Sequence, residues 1–178
     1  MITADGRATG GRAVTEHRAL GGPVGITVGT VLRLAAAAVW LLAGLYKIRD
    51  LSANVHAVRA YHLLPGPLVT PTAYALPVIE LAFGVLLALG LFTRRTAAAS
   101  AVFDVIYLAG IATAAIRGLR IDCGCFSPGG QLAPGVPTHY TLDLLRDSVF
   151  AVMSAYLIWR PRTWLSVDRV RERRRGPA

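Results

Sequence analysis

Residues 70–92 read TPTAYALPVIELAFGVLLALGLF, and the only charge among them is Glu80. A helix needs roughly 20 mostly apolar residues to cross the hydrocarbon core of a bilayer. A helix also satisfies its backbone polar groups within its own segment, which lipid demands. Three more runs follow the same rule: 26–46 with Arg33, 96–116 with Asp104, and 139–159 with Asp143, Arg146 and Asp147 in its first half. The last is the least apolar. Of the 178 residues, 54% are apolar and 16% charged, and the apolar ones come in runs rather than in the spaced pattern of soluble helices. A water-soluble domain of this size has no room to hide them. The sequence therefore predicts an all-α integral membrane four-helix bundle over residues 26–160. An N-terminal arm (1–25) precedes it and a basic tail (161–178) follows. The first apolar run begins after the polar arm and is too long for a signal core, so no cleavable signal peptide is expected.

The basic residues set the expected orientation. Arg7, Arg12 and Arg18, the turn residues Arg94 and Arg95, and the tail residues Arg160, Arg162, Arg169, Arg171, Arg173, Arg174 and Arg175 fall on one side. Lys47, Arg49, Arg59, Arg117 and Arg120 fall on the other. Both termini are predicted to be cytoplasmic and the two longer loops extracytoplasmic. Basic charge that flanks apolar segments, instead of forming a patch on a polar domain, speaks for a lipid bilayer and against nucleic acid. The tail reads as a solvated or headgroup-binding segment.

The first outer loop, 47–69, is too long for a turn. Asp50 or Ser52 can cap a helix there, and Leu51, Val55, Val58 and His62 form a single stripe. The reading is a short interfacial helix, ended by Pro65, Pro67 and Pro71 on the way into the next span. The second outer loop, 117–138, holds Cys123 and Cys125, the two cysteines of the chain.

Cysteines one residue apart have α-carbons about 5–7 Å apart by backbone reach, which overlaps disulfide geometry. A disulfide there closes a very small, strained ring, partly relieved by the freedom of Gly124. Strain eases reduction, and a staple gains by closing a long loop, which this pair does not. An oxidising outer compartment and the nearby Arg117 and Arg120, opposed by Asp122, bear on the thiolate. The pair thus reads as redox-active. Two inert thiols, or a metal site completed by His56, His62 or His139, are the other readings; zinc wants two further ligands, whereas copper accepts thiolates alone.

Charges inside spans face a bundle interior. Their depths predict two pairs, Arg33 with Asp104 and Glu80 with Arg146. The plain role of such pairs is to orient the bundle. The sharper one has Glu80 and Arg146 bordering a quinone or proton site beneath the cysteines.

Several local patterns coincide: Gly44-Leu45-Tyr46-Lys47, Tyr61-His62-Leu63-Leu64-Pro65, Leu76-Pro77-Val78-Ile79-Glu80-Leu81-Ala82-Phe83-Gly84, Asp122-Cys123-Gly124-Cys125-Phe126 and Leu145-Arg146-Asp147. Together they resemble the MauE family of methylamine-utilisation membrane proteins, related to the DoxX-like four-helix group. The resemblance covers residues 26–160 and departs at Ser127, where the family usually has Gly. It implies a role in maturing the disulfide-rich small subunit of methylamine dehydrogenase, beside a thioredoxin-like or secreted dithiol partner. By position it marks Cys123 and Cys125 as the redox pair, and Lys47, Glu80 and Arg146 as supporting positions. Thiol–disulfide exchange is the leading expectation, with a membrane quinone as electron sink. A non-catalytic anchor for a redox partner and a metal-handling membrane protein are the rivals.

Overall fold

The computed structural model describes residues 23–164 and 166–168. The N-terminal arm up to residue 22 and the tail arginines from Arg169 onward lie outside them. Among these residues five helices follow one another: α1 (Pro23–Arg49), α2 (Leu51–Ala60), α3 (Gly66–Leu89), α4 (Thr93–Ile116) and α5 (Tyr140–Trp159). Strands β1 (Ile121–Asp122) and β2 (Gly130–Gln131) lie between α4 and α5. Among the described residues α1, α3 and α4 are long and apolar enough to cross a membrane. Among the described residues the regular structure is thus all-helical apart from a two-residue ladder.

Each long helix covers the run read from sequence, with shifted ends. Helix α3 starts at Gly66 rather than at residue 70: Pro65 is its N-cap and Pro67 lies in its first turn. A first-turn residue has no intrahelical acceptor for its N–H, so proline begins this helix where the sequence reading had it end the loop. At the other end Gly90, at φ 64°, closes α3, and the Leu91 N–H returns to the Leu86 carbonyl. Pairing the Leu91 N–H with the carbonyl five residues back makes this a Schellman turn.

Helix α1 packs on α3 and α4 on α5, and the α1–α5 and α3–α4 contacts close the ring. Close approach of α1 and α3 depends on two glycines. A Cβ at Gly44 would stand 2.8 Å from Leu81 Cγ, and one at Gly84 2.5 Å from Leu41 Cγ. Small residues at a helix interface let the backbones meet, which is how apolar helices associate in lipid. Trp40, Leu87 and Leu157 with Ala36, Ala37 and Ala97 form the core. The rings of Trp40, Phe83, Phe103 and Tyr107 extend it, edge to face at 5.2–6.5 Å except for the tilted Trp40–Tyr107 contact. The outward faces stay apolar: Val78 and Val85 on α3, Val102, Val105 and Ile106 on α4, and Leu142, Leu145, Val149 and Val152 on α5 are exposed. On α5 the charged residues turn away from that face.

Helix α2 forms where the first loop was expected to be helical, and Asp50 is its cap, accepting the Ala53 N–H at 2.9 Å. Its buried face is not the Leu51–Val55–Val58–His62 stripe. Asn54, Ala57 and Ala60 are buried instead, and His62 lies beyond the helix end, exposed, at φ 50°. The reason is space: small residues admit the close approach of α3 and of the cysteine loop, while the larger side chains sit half-buried at the flanks.

Arg33 and Asp104 do not pair. The Arg33 guanidinium donates to the carbonyls of Leu87 (2.5 Å), Ala88 (2.9 Å) and Trp164 (3.1 Å). The first two are last-turn carbonyls of α3, where helical pairing runs out, and they lie at the negative end of its dipole; the Leu87 carbonyl also accepts the Gly90 N–H at 3.1 Å. Asp104 instead accepts the Ser154 hydroxyl at 2.8 Å. Past α5 the chain returns to this end of the bundle, where the Asp168 carboxylate accepts the backbone N–H groups of Phe92 and Thr93 at 3.0 and 2.9 Å.

Candidate functional site

The cysteine loop is tied at its base. Strands β1 and β2 pair antiparallel, Ile121 opposite Gln131 and Asp122 opposite Gly130, and the Leu132 N–H extends the ladder to the Arg120 carbonyl. Within the loop, Asp122 accepts the Gly124 N–H at 3.1 Å and the Ser127 hydroxyl. Gly124 does more than relieve strain between two thiols. It stands at φ 73°, and a Cβ there would lie 3.1 Å from Ala57 Cβ. Gly129, at φ 69°, leaves even less room, 2.7 Å to the same atom. Both positions need a positive φ and no side chain, so the loop rests directly on α2.

This seating makes the two thiols unequal. Cys123 is half-buried and Cys125 is only 9% exposed; both are free. Arg146 on α5 brings Nη2 to 3.5 Å from Cys123 Sγ and lays its guanidinium over the Phe126 ring at 5.2 Å. A hydrogen bond from the Cys125 thiol, followed by that from Arg146, brings the Cys123 thiol down to about 7. Cys125 moves the other way: holding the proton of that bond, together with burial, pushes its thiol well above the ordinary value. The Tyr61 hydroxyl donates to the Cys123 carbonyl at 3.2 Å, and burial raises its proton affinity so that it stays a donor.

Glu80 and Arg146 do not pair with each other. Arg146 is held on its own helix by Asp147 (2.8 Å) and Asp143 (3.1 Å). Glu80, fully buried, receives Lys47 Nζ, whose stem reaches inward from the last turn of α1. Its Oε1 also accepts the Tyr107 hydroxyl at 2.5 Å, and Lys47 Nζ lies 5.2 Å from the Tyr107 ring centroid. The five site residues read from sequence thus form two sets: Cys123 with Cys125 and Arg146, and Lys47 with Glu80. Tyr107 and Tyr61 complete these sets and were missed. A tyrosine inside the apolar run of α4 was the available signal, since a buried hydroxyl needs a partner. The expected metal alternative gains nothing: His56, His62 and His139 are exposed, and among the described residues no three His, Cys, Asp or Glu side chains converge.

The family model described as methylamine utilisation protein MauE matches residues 26–160. The chain belongs to the MauE family. The methylamine utilization protein MauE of Paracoccus denitrificans is 33% identical over 99 residues, which is 55% of this chain and 53% of the relative. The chain thus spans about half the length of that relative. No solved structure matches. Three helices of spanning length and membership of the MauE family make the chain a multi-pass membrane protein. The resemblance read from the local motifs is borne out over the same residues.

Proposed function

We propose that this MauE-family chain carries out thiol–disulfide exchange with an extracytoplasmic partner, with Cys123 as the attacking thiol. The observation that carries this reading is the inequality of the pair: a reachable, low-pKa Cys123 beside Arg146, backed by a buried, protonated Cys125. A thiolate is the nucleophile in exchange. The Cys123 thiolate attacks a partner disulfide, forms a mixed disulfide and releases one partner thiolate. Cys125 then loses its proton and attacks Cys123 Sγ, closing the Cys123–Cys125 disulfide and releasing the second thiolate. Two electrons pass to the partner. The reverse sequence oxidises a partner dithiol, and a membrane quinone is the class of acceptor we assign to that direction.

In this reading all four long helices span the bilayer as a DoxX-like bundle over residues 26–160. The exposed apolar face of α5 supports its inclusion despite its charges, which turn inward. Both termini are cytoplasmic, by the excess of arginine on that side, and α2 lies at the outer interface as the platform of the cysteine loop. The partner is a thioredoxin-like or secreted dithiol protein. By the name of its relative, the pathway is methylamine utilisation.

Cells carrying Cys125→Ser test the reading. A membrane-impermeant thiol reagent should label Cys123 from outside, and a mixed disulfide with an outer partner should accumulate. Labelling only from the cytosolic side, or full function of the Cys123→Ser variant, rejects it; the latter leaves the anchor role.

A further inference from the structure

The guanidinium of Arg146 is held from three directions. Nε donates to Asp147 Oδ1 at 2.8 Å, Nη1 faces Asp143 Oδ1 at 3.1 Å, and Nη2 lies 3.5 Å from Cys123 Sγ. The Phe126 ring covers its face at 5.2 Å. Both carboxylates stand on α5 with Arg146 itself, so the helix sets the place of the guanidinium and the loop brings the thiol to it. An arginine without such holds turns its head to water, as its long stem allows. The two acids differ. Asp143 lies in the first turn of α5 and is partly exposed, and the positive end of a helix dipole favours a carboxylate there. Asp147 lies one turn further in, with its side chain only 5% exposed. Its Oδ2 is buried with no hydrogen-bond partner among the described residues. Such an oxygen costs stability, and a well-packed apolar side chain would avoid that cost. Stability therefore does not account for Asp147, and the contact that its carboxylate does make is to Arg146.

We propose that Asp147 is the positioning residue of the attacking thiol: by accepting the Nε hydrogen bond it turns the Arg146 guanidinium so that Nη2 is presented to Cys123 Sγ. This rests on the exchange reading and adds to it the group that keeps the donor of the thiolate in place. A holder on a helix is a precise one, because the element is rigid. The titratable and charged groups around the two thiols are Arg146, Asp143 and Asp147 from α5, Lys47 from α1 and, just past α2, Tyr61, whose hydroxyl donates to the Cys123 carbonyl. Charge and position act in opposite senses here. A nearby negative charge disfavours a thiolate, so deleting the charge of Asp147 by itself makes the Cys123 thiol easier to ionise. Releasing Arg146 takes a charge-assisted donor from the thiolate, so losing the hold of Asp147 makes the thiol harder to ionise. The sign of the change therefore tells the two apart.

The test is the pH profile of Cys123 alkylation by iodoacetamide, on full-length reduced protein in detergent whose helical circular dichroism matches wild type. Asp147→Leu deletes charge and hold together. Its midpoint should move up, and labelling at about pH 6 should slow at least about threefold, the effect of half a pH unit on the thiolate fraction. Asp147→Asn deletes the charge but keeps a carbonyl for the Nε hydrogen bond, so its midpoint should stay at the wild-type value or below. Arg146→Gln with Asp147→Leu should match Arg146→Gln alone, since a positioning residue acts only through the group it holds. A midpoint for Asp147→Leu at or below wild type overturns the proposal, because Asp143 then suffices. A rise in Asp147→Asn as large as in Asp147→Leu overturns it too, and so does a further shift in the double variant. If Asp147→Leu does not fold, Asp147→Ala takes its place under the same criteria. Failure of the exchange reading looks different: wild-type Cys123 would itself show a midpoint in the ordinary thiol range, or Cys125→Ser would trap no partner in cells.

Discussion

Asn54 on α2 donates its side-chain amide, at 2.5 Å, to the Ala73 carbonyl on α3. That carbonyl would otherwise bond to the N–H of residue 77, and residue 77 is proline. The internal proline of α3 thus creates an acceptor that Asn54 satisfies, and the bond joins the loop helix to the bundle.

Asn54→Leu should leave the Ala73 carbonyl buried and unpaired. A lost partner of this kind costs about 1–3 kcal/mol. Thermal unfolding in detergent should show a lower midpoint, and a proteolytic cut in or beside α2 should appear earlier. An unchanged midpoint would mean that water replaces the amide.

Ala57→Leu tests the seat of the cysteine loop. Ala57 Cβ already stands within reach of Gly124 and Gly129, so three more carbons cannot be accommodated without lifting the loop. Overpacking of this sort costs about 1–3 kcal/mol. Cys125 should become open to alkylation while the helical circular dichroism signal is kept. Protection of Cys125 equal to wild type would show that the loop is held by its ladder alone.

The long helices are legible in the sequence because the requirement for an apolar span of spanning length acts on every residue of a run. The pairing of the buried charges is not. Depth along the axis places Glu80 near Arg146 and Arg33 near Asp104, but depth says nothing of direction around the helix, nor of how far a lysine stem reaches. Lys47 fills the place given to Arg146, and last-turn carbonyls of α3 fill the place given to Asp104. The cysteine pair itself is plain in the sequence. Its inequality depends on Ala57, Gly129 and Arg146, which meet only in the fold.

Asp168→Ala should destabilise without touching the thiols. Its carboxylate caps the start of α4 through Phe92 and Thr93 and accepts the Thr93 hydroxyl as well. Loss of such a cap costs about 0.5–2 kcal/mol. Because Thr93 opens α4 and the cysteines follow its other end, the rate of Cys123 alkylation should match wild type while the thermal midpoint falls. A change in that rate would mean that the two ends of the bundle are coupled.

Arg146→Gln should change the pH response of the attacking thiol. With its thiol at about 7, Cys123 is half thiolate near neutral pH. Alkylation by iodoacetamide should level off above that point and fall about tenfold per pH unit below it, as the protonated thiol is unreactive. Cys125, buried and raised, should react slowly throughout. Removing the guanidinium withdraws a donor from the thiolate, so the midpoint should move up and the rate at neutral pH should drop. Cys125→Ala removes the larger contribution and should move it further, since the Cys125 hydrogen bond is the first cause of the shift and Arg146 the lesser donor. Site-resolved mass spectrometry of the alkylated loop peptide reads both cysteines at once. A Cys123 midpoint in the ordinary thiol range, or faster labelling of Cys125, would remove the asymmetry on which the assignment of the attacking cysteine stands.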